Sequence, residues 1–202
     1  MKITPSPFEK EYKYCPSCRG ELKRKVIDRR NLLVCPKCGF IFWNNPKPVT
    51  SVLLERDGKV LMLQRKQEPL KNYWVLPGGF INYEETPKQA AIREAKEETG
   101  LKVKIDQLLD AYRIEDDPRG IHIEIVFKGT ILSDEFSPWC AAEHRPFKNS
   151  SLRSSDHNVG AKGDIRLNEE SSRFEFFPLN KLPRLIAYQH RRVILDWQKK
   201  RG

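Results

Sequence analysis

The chain has 202 residues, of which 39% are hydrophobic and 32% are charged, and its formal net charge is +10. This length accommodates one ordinary domain and a small additional module, and the apolar fraction excludes a globally disordered chain. No apolar run approaches the roughly 18–20 residues of a membrane span, and the first residues lack the apolar segment of a secretion signal. We therefore expect a cytoplasmic protein that does not enter a membrane.

Positive charge is concentrated at the start of the chain. The first 47 residues contain 11 Lys and Arg against 4 Asp and Glu. A basic surface favours anionic partners, which include nucleotides and nucleic acids, although it also serves solubility alone. Because charge of this kind gives only non-specific affinity, we do not expect nucleic acid to be the principal partner.

Four cysteines in the same region predict a metal site. They form two C-x₂-C pairs separated by sixteen residues, Cys15 with Cys18 and Cys35 with Cys38. Each pair can bind zinc from one tight turn, and two pairs complete a closed tetrahedral site without an open position for catalysis. The alternative, disulfides, is disfavoured in a cytoplasmic chain. We predict a structural Zn²⁺ in a zinc ribbon over residues 1–45, with two short strands within Leu22–Val34.

A second domain is predicted over residues 46–202. Two prolines and two asparagines in Asn44–Pro48 indicate an extended connection between the two domains. The runs Val49–Glu55 and Lys59–Arg65 are rich in β-branched and aliphatic residues, and the Asp-Gly pair between them is a hairpin signal. Tyr73–Leu76 predicts a further short strand.

A capped acidic helix follows. The pair Gly78-Gly79 predicts a turn that lets the backbone approach a metal ion or a phosphate closely. Thr86 as N-cap, Pro87 at the first helical position and Gln89 in a capping box predict the start of the helix, and Gly100 predicts its end. Three glutamates lie three and four residues apart on one face of this helix: Glu94, Glu97 and Glu98. Such a face is either a solvated acidic surface or a site for Mg²⁺ or Mn²⁺, which prefer oxygen ligands.

The remaining elements complete an α/β pattern. We predict strands over Leu101–Tyr112, Ile121–Leu132 and Arg173–Phe177, and a terminal helix over Leu185–Lys200. Mixed strands with helices on both sides predict an α/β/α sandwich. The long polar segment Ser133–Asn168 predicts no regular structure. It contains Cys140 and His144, which we interpret as a free thiol and a solvated side chain, since the alternative of a two-residue metal site is a weak signal.

The pattern around the acidic helix resembles the Nudix box at every fixed position, although Ala95 is smaller than the usual aliphatic residue. The matching residues are Gly79, Glu85, Arg93, Glu94, Ala95, Glu97, Glu98, Gly100 and Leu101. A zinc ribbon, an Asn-Pro-Lys linker and this box together resemble a two-module group that includes NADH pyrophosphatases and relatives acting on ADP-ribose or FAD.

The resemblance implies the roles of the site residues in a phosphoanhydride hydrolase. Glu94, Glu97 and Glu98 are implied to be ligands of Mg²⁺ or Mn²⁺, with the Gly79 carbonyl as a further ligand. Arg93 and Glu85 are implied to form an orienting ion pair. The general base stays open between Glu98 and a loop glutamate before the last strand. That loop contains Glu169 and Glu170, and we favour Glu170, with ordinary loop charges as the alternative.

The substrate is less clearly indicated than the reaction. Four aromatic residues could stack on a base, although each is more readily interpreted as a core or interface residue: Trp43, Tyr73, Trp74 and Tyr112. Arg65 and Arg113 are candidates for phosphate contacts, with ordinary surface charges as an equal alternative. The stretch resembling Ser-Gln-Pro-Trp-Pro-Phe-Pro that NADH-cleaving members carry is displaced and incomplete here, at Ser137-Pro138-Trp139. We therefore expect ADP-ribose, or another ADP-containing dinucleotide such as FAD, in preference to NADH.

Two alternatives stay open at this point. One is an enzyme that removes pyrophosphate from nucleoside triphosphates. The other is a non-catalytic nucleotide sensor in which the basic zinc ribbon contacts nucleic acid, which an intact set of carboxylates disfavours. Family members often form homodimers, but the sequence contains no diagnostic seam for one.

Overall fold

The computed structural model describes residues 12–132 and 165–201. Cys140, His144 and all but the last four residues of the polar segment lie outside these ranges. Within them, no helix is long and apolar enough to cross a lipid bilayer.

The N-terminal module is a three-stranded antiparallel sheet. Its strands are β1 (Lys23–Ile27), β2 (Arg30–Val34) and β3 (Ile41–Phe42), which pair in the order β1-β2-β3. The two predicted strands are thus present as β1 and β2. Its small buried core consists of Leu22 and Leu33 together with Cys15 and Cys35. Because these four side chains bury little apolar surface, we expect a module of this size to need metal binding by the cysteines for its stability.

The second module is built on a seven-stranded mixed sheet. Its strands are β4 (Lys47–Arg56), β5 (Lys59–Arg65), β6 (Trp74–Val75), β7 (Gly78–Phe80), β8 (Val103–Ile114), β9 (His122–Ile131) and β10 (Ser171–Pro178). The main path is β10-β5-β4-β9-β8; β4 and β9 are parallel and the other neighbours are antiparallel. β4 and β5 pair only beside their hairpin and then diverge. The opening is filled by β6, which pairs with β5, and by β7, which pairs with β4.

Helices cover both faces of this sheet. They are α1 (Pro87–Thr99) and α2 (His190–Arg201). Successive residues of β4 point to opposite faces, so that Leu53 packs in one core cluster with Val193 of α2, and Val52 packs in another with Ala91 of α1. The predicted α/β/α sandwich with a mixed sheet is confirmed.

The terminal helix begins five residues later than predicted. Residues 185–189 instead run alongside β6: the Leu185 carbonyl accepts a hydrogen bond from Trp74 N, and Ala187 N donates to the Trp74 carbonyl. Tyr188 then adopts a positive φ of 58°, which a continuous helix does not permit. Ile186 continues the apolar pattern of the helix in the sequence, but it is apolar because it packs beside β6. The helix α2 itself starts at His190.

Candidate active site

The predicted caps fix both ends of α1. Thr86 Oγ1 accepts a hydrogen bond from Gln89 N at 3.3 Å, and Gln89 Oε1 accepts one from Thr86 N at 2.8 Å. Gly100 is left-handed with φ of 73°, and its N–H donates to Lys96 O. Because these contacts are local, they set the direction in which the acidic side chains of the helix project.

The Gly78-Gly79 pair is not the predicted turn. Both residues belong to β7, which is extended and pairs with β4. A Cβ on Gly78 would lie 2.3 Å from Thr50 O, and a Cβ on Gly79 would lie 2.5 Å from Glu94 Oε1. Glycine is required at position 78 because a Cβ would clash with the backbone of β4, whereas a Cβ at position 79 would displace the carboxylate of the Glu94 side chain.

Arg93 is the centre of a hydrogen-bond network on the exposed side of α1. Its Nε and Nη2 donate to the two oxygens of Glu85 at 3.0 and 2.6 Å, which is the predicted ion pair. Its Nη1 donates to Glu94 Oε1 at 2.8 Å and to Glu97 Oε2 at 3.0 Å. The hydrogen bonds from Arg93, together with the backbone N–H of Asn82, lower the pKa of Glu85 to about 2.

Glu98 lies on the buried side of the helix. The residue is only 7% exposed, and its Oε2 accepts a hydrogen bond from Gly78 N at 2.8 Å. Burial raises the pKa of Glu98 to about 8, and the negative charges of Glu94 and Glu170 add to the shift, whereas the Gly78 hydrogen bond and Arg65 oppose it. Burial likewise raises the pKa of Glu94. The free site thus concentrates more negative charge than the surrounding protein compensates.

This excess of carboxylates fits a divalent cation in chemistry. Hard cations bind carboxylate and carbonyl oxygens, and a bound ion would relieve the repulsion between Glu94, Glu98 and Glu170. In residues 12–132 and 165–201, however, only the four cysteines bring three or more metal-binding side chains within 4.8 Å of one another. The guanidinium of Arg93 bonds to both Glu94 and Glu97, so joint binding by the glutamates requires these carboxylates to turn away from it.

A cavity of about 110 Å³ opens beside Glu98. Of the predicted site residues, Gly79, Glu98, Arg65 and Glu170 line it. Sequence reasoning missed six further titratable residues that also line it: Asp117, Arg119, His122, Glu124, Tyr188 and His190. The detectable signal was on β9, where the titratable residues His122 and Glu124 occupy buried positions that alternate with isoleucines.

Arg119 is held at the rim of this cavity. It forms a two-pronged ion pair with the buried Asp117, with distances of 3.0 and 2.8 Å, and its Nη2 lies 3.3 Å from Tyr188 OH. Its guanidinium also lies over the ring of Phe80 at 5.7 Å, while that of Arg65 lies over the ring of Tyr188 at 5.8 Å. The rim therefore presents two cations and two aromatic rings to a ligand.

The four predicted stacking residues lie elsewhere. Trp74 and Tyr112 are core residues, at 5% and 6% exposure. Tyr73 packs at a small cluster beneath β5, and Trp43 is exposed in the connection between the modules. Arg113 pairs with Glu115 at a separate open groove. For Trp74 and Tyr112 the interpretation as core residues is the correct one, because helices cover both faces of the sheet and these side chains pack beneath one of them.

The four cysteines come together as predicted. Their Sγ atoms all lie within 4.8 Å of one another, with Cys15 to Cys38 at 3.6 Å and Cys18 to Cys35 at 3.4 Å. Burial opposes ionisation of Cys35, but the backbone N–H groups of Cys38 and Lys37 and the Cys18 thiol lower its pKa to about 7. This arrangement is compatible with a tetrahedral zinc site.

Comparison with known proteins identifies relatives of the second module and of the whole chain. A family model for the NUDIX domain matches residues 45–198. An ADP-ribose pyrophosphatase from Methanocaldococcus jannaschii is 31% identical over 177 residues, which cover 87% of this chain and 84% of that protein. A CTP pyrophosphohydrolase from Escherichia coli is 31% identical over 102 residues, which cover 47% of this chain and 76% of that protein.

A solved structure of the same family resembles this chain over most of its length. The crystal structure of a NUDIX hydrolase from Nitrosomonas europaea matches with a TM-score of 0.66 and 25% identity. The match covers 92% of this chain and 88% of that one. The second module alone is a smaller share of the chain than 92%, so the match must also include part of the N-terminal module.

Proposed function

Since the chain belongs to the Nudix hydrolase family, we propose that it hydrolyses a phosphoanhydride bond in a nucleoside diphosphate linked to another moiety. The proposed substrate is ADP-ribose or a related ADP-containing dinucleotide such as FAD or NADH. The observation that carries this proposal is the buried Glu98 on a capped acidic helix, beside a cavity lined by cations and aromatic rings. Similarity to an ADP-ribose pyrophosphatase along 87% of the chain supports the substrate class.

We assign the binding of Mg²⁺ or Mn²⁺ to Glu94, Glu97, Glu98 and the Gly79 carbonyl. When bound, the cation screens the charge of the diphosphate and makes a water molecule easier to deprotonate. In the cation-free protein Arg93 pairs with Glu94 and Glu97 and is itself held by Glu85. When a cation takes over the two glutamates, the ion pair with Glu85 would keep Arg93 in place beside them. Arg65 and Arg119 at the cavity rim contribute positive charge toward the diphosphate.

Two carboxylates are candidates for the general base, Glu98 and Glu170. Both line the cavity. Glu98 accepts a hydrogen bond from Gly78 and is the more buried of the two, whereas Glu170 is exposed and its carbonyl accepts a hydrogen bond from Lys66 N at 2.8 Å. Because a metal ligand has little remaining basicity, we assign the base to Glu170. Its replacement by Gln should lower kcat by about 10²–10⁴-fold without weakening Mn²⁺ binding.

The test is a hydrolysis screen over ADP-ribose, NADH, NAD, FAD, diadenosine polyphosphates and nucleoside triphosphates with Mg²⁺ or Mn²⁺. We expect AMP as a product of ADP-ribose, and loss of turnover in Glu94→Ala and Glu98→Ala. Glu175→Gln, an exposed carboxylate on β10, serves as the control with unchanged turnover. Equal activity of the wild-type and Glu98→Ala proteins at saturating Mg²⁺ would remove the catalytic assignment.

Hydrolysis of nucleoside triphosphates is the second candidate. It is favoured by the similarity to a CTP pyrophosphohydrolase over 102 residues. Release of pyrophosphate from a triphosphate, at a kcat/KM above that for AMP release from ADP-ribose, would select this function instead. A protein that binds ADP-ribose but turns over no member of the panel would instead be a sensor.

A further inference from the structure

The segment between β6 and β7 crosses from one half of the sheet to the other. β6 ends at Val75 on β5, and β7 begins at Gly78 on β4. Leu76 and Pro77 therefore lie in the gap between β4 and β5. In a regular sheet, neighbouring strands would supply hydrogen-bond partners to their backbone on both sides. The position of this crossing decides where Gly78 and Gly79 stand relative to α1.

Backbone groups of three successive residues, from the crossing into the start of β7, bond to three different elements. Leu76 N donates to His190 Nδ1 of α2 at 2.9 Å. The Pro77 carbonyl accepts a hydrogen bond from β4 at 2.9 Å, and Gly78 N donates to Glu98 Oε2 of α1 at 2.8 Å. A side chain thus replaces a strand as the partner of Leu76, two residues before the group that bonds to Glu98.

The ring of His190 is itself fixed by Glu124 of β9. Its Nε2 lies 2.6 Å from Glu124 Oε1, and both side chains are 3% exposed. Because Nδ1 accepts the Leu76 N–H, the ring proton lies on Nε2 and is donated to Glu124. A carboxylate on one nitrogen fixes the tautomer and the orientation in which the other nitrogen binds, as in the outer sphere of many metal sites.

Filling of the core does not account for this pair. A buried carboxylate is costly, and apolar side chains of similar volume would stabilise the same position at least as well. Glu124 Oε2 has no hydrogen bond of ordinary geometry among the residues that the structure describes; against the effect of burial, only the nearby Ser51 hydroxyl adds to the effect of His190 in lowering the pKa of Glu124, so part of the cost of burial is not compensated. The next buried positions of α2, Val193 and Ile194, are apolar. What an apolar pair would lack is an acceptor for Leu76 N.

We propose that Glu124 and His190 are positioning residues for hydrolysis: they hold the crossing segment through Leu76 and thereby set Gly78 against Glu98 and the Gly79 carbonyl at the proposed metal site. The importance for turnover rests on the function proposed above. The positioning itself is a property of the protein without substrate or Mg²⁺, and it can be measured separately.

Two isosteric double variants isolate the acceptor. Both replace Glu124 by Gln, which removes the buried charge; one carries His190→Asn and the other His190→Leu. The Asn Oδ1 occupies the place of Nδ1 and can accept from Leu76 N, whereas Leu cannot. We expect H190L/E124Q to lose roughly 10–100-fold in kcat with KM unchanged. H190N/E124Q should retain kcat within a few-fold.

Amide hydrogen exchange of the zinc-loaded full chain, without Mg²⁺, provides the second measurement. We expect the Leu76 and Gly78 amides to exchange faster in H190L/E124Q than in H190N/E124Q, with amides of the β8–β9 pair unchanged. Tyr112→Phe removes the 3.4 Å contact of α2 with Tyr112 OH at the far side of the helix, and it should leave kcat and both amides unchanged. Loss of kcat in this control would mean that docking of α2 as a whole, and not the acceptor, is responsible.

The outcomes separate this inference from the proposed function. Equal kcat and equal amide exchange in the two double variants would overturn the inference. It would also be overturned if H190L/E124Q exchanged faster than H190N/E124Q only at the Leu76 amide, with the Gly78 amide still protected and kcat equal in both variants. If the wild-type protein hydrolyses nothing in the panel, the proposed function fails, while the Gly78 exchange rates still decide the positioning. If the double variants do not fold, a through-hydrogen-bond ¹⁵N–¹⁵N coupling between Leu76 N and His190 Nδ1 in the wild type decides it, and its absence overturns the inference.

Discussion

Replacing Glu98 by Gln should stabilise the metal-free protein and abolish its turnover. Burial raises the pKa of Glu98 from 4.5 to about 8, so the folded protein favours the protonated form of this side chain. The stability that this group contributes is fully present below pH 4.5 and is lost as the pH rises through 8. The glutamine amide in the Glu98→Gln variant remains neutral at every pH and can still accept the Gly78 N–H, so the variant should not show this loss.

The expected size follows from the two pKa values. At pH 8, a group with a pKa of 4.5 in the unfolded chain and about 8 in the folded protein changes the free energy of unfolding by about 4 kcal/mol. At pH 5 the same linkage amounts to roughly 1 kcal/mol. In a chain of this length, 4 kcal/mol corresponds to a rise in Tm of roughly 8–16 °C.

Thermal unfolding of the zinc-loaded protein at pH 5 and at pH 8, in buffer without added Mg²⁺ or Mn²⁺, measures this difference. The Tm advantage of Glu98→Gln should be large at pH 8, small at pH 5, and reduced by saturating Mg²⁺, which favours the ionised side chain. Glu97→Gln is the matched control, because Glu97 lies on the exposed side of the same helix and should change stability by less than about 0.5 kcal/mol. Parallel pH dependences of the wild type and Glu98→Gln would refute the argument from burial.

Two further predictions concern the neighbouring strand and the zinc module. Gly79→Ala should preserve the fold but lower kcat by about 100-fold, because its Cβ would displace the Glu94 carboxylate 2.5 Å away; steady-state kinetics with circular dichroism tests this, and unchanged kcat contradicts it. Removal of zinc by a chelator should unfold residues 12–43 before the seven-stranded sheet melts, as followed by amide exchange. A module that stays intact after complete removal would contradict the zinc assignment.

The acidic helix could be predicted almost completely because its determinants are local. Thr86, Gln89 and Gly100 act within one helical turn of the ends they cap, and the spacing of the glutamates places Glu94 and Glu97 beside Arg93. The cysteine cluster was predictable for a similar reason, since each pair is formed within a single tight turn. The two pairs then meet through contacts between residues 17 and 23 positions apart, which the repeated C-x₂-C spacing indicates because a structural zinc site takes four ligands.

The cavity could not be predicted in this way. His190 and Glu124 are 66 positions apart, and Arg119 and Tyr188 are 69 apart, so nothing in their local sequence indicates that they meet. The two interpretations of Trp74 and Tyr112 stayed open in the sequence for a related reason: whether an aromatic residue of a strand faces a ligand or the core depends on which helix covers that face.

By itself, the sequence determined the capped acidic helix, the clustered cysteines, the layered α/β class and the chemistry that these groups can support. Only the tertiary structure decided that the Gly78-Gly79 pair is a strand pressed against Glu94, that Glu98 is buried, and that α2 begins with a histidine bonded to Leu76. The physical reason is that hydrogen bonds within a few residues are set by local spacing. The burial of a side chain and the close approach of two strands depend instead on which distant segments share a sheet. Here they depend on the divergence of β4 and β5, which lets the crossing segment run between these two strands.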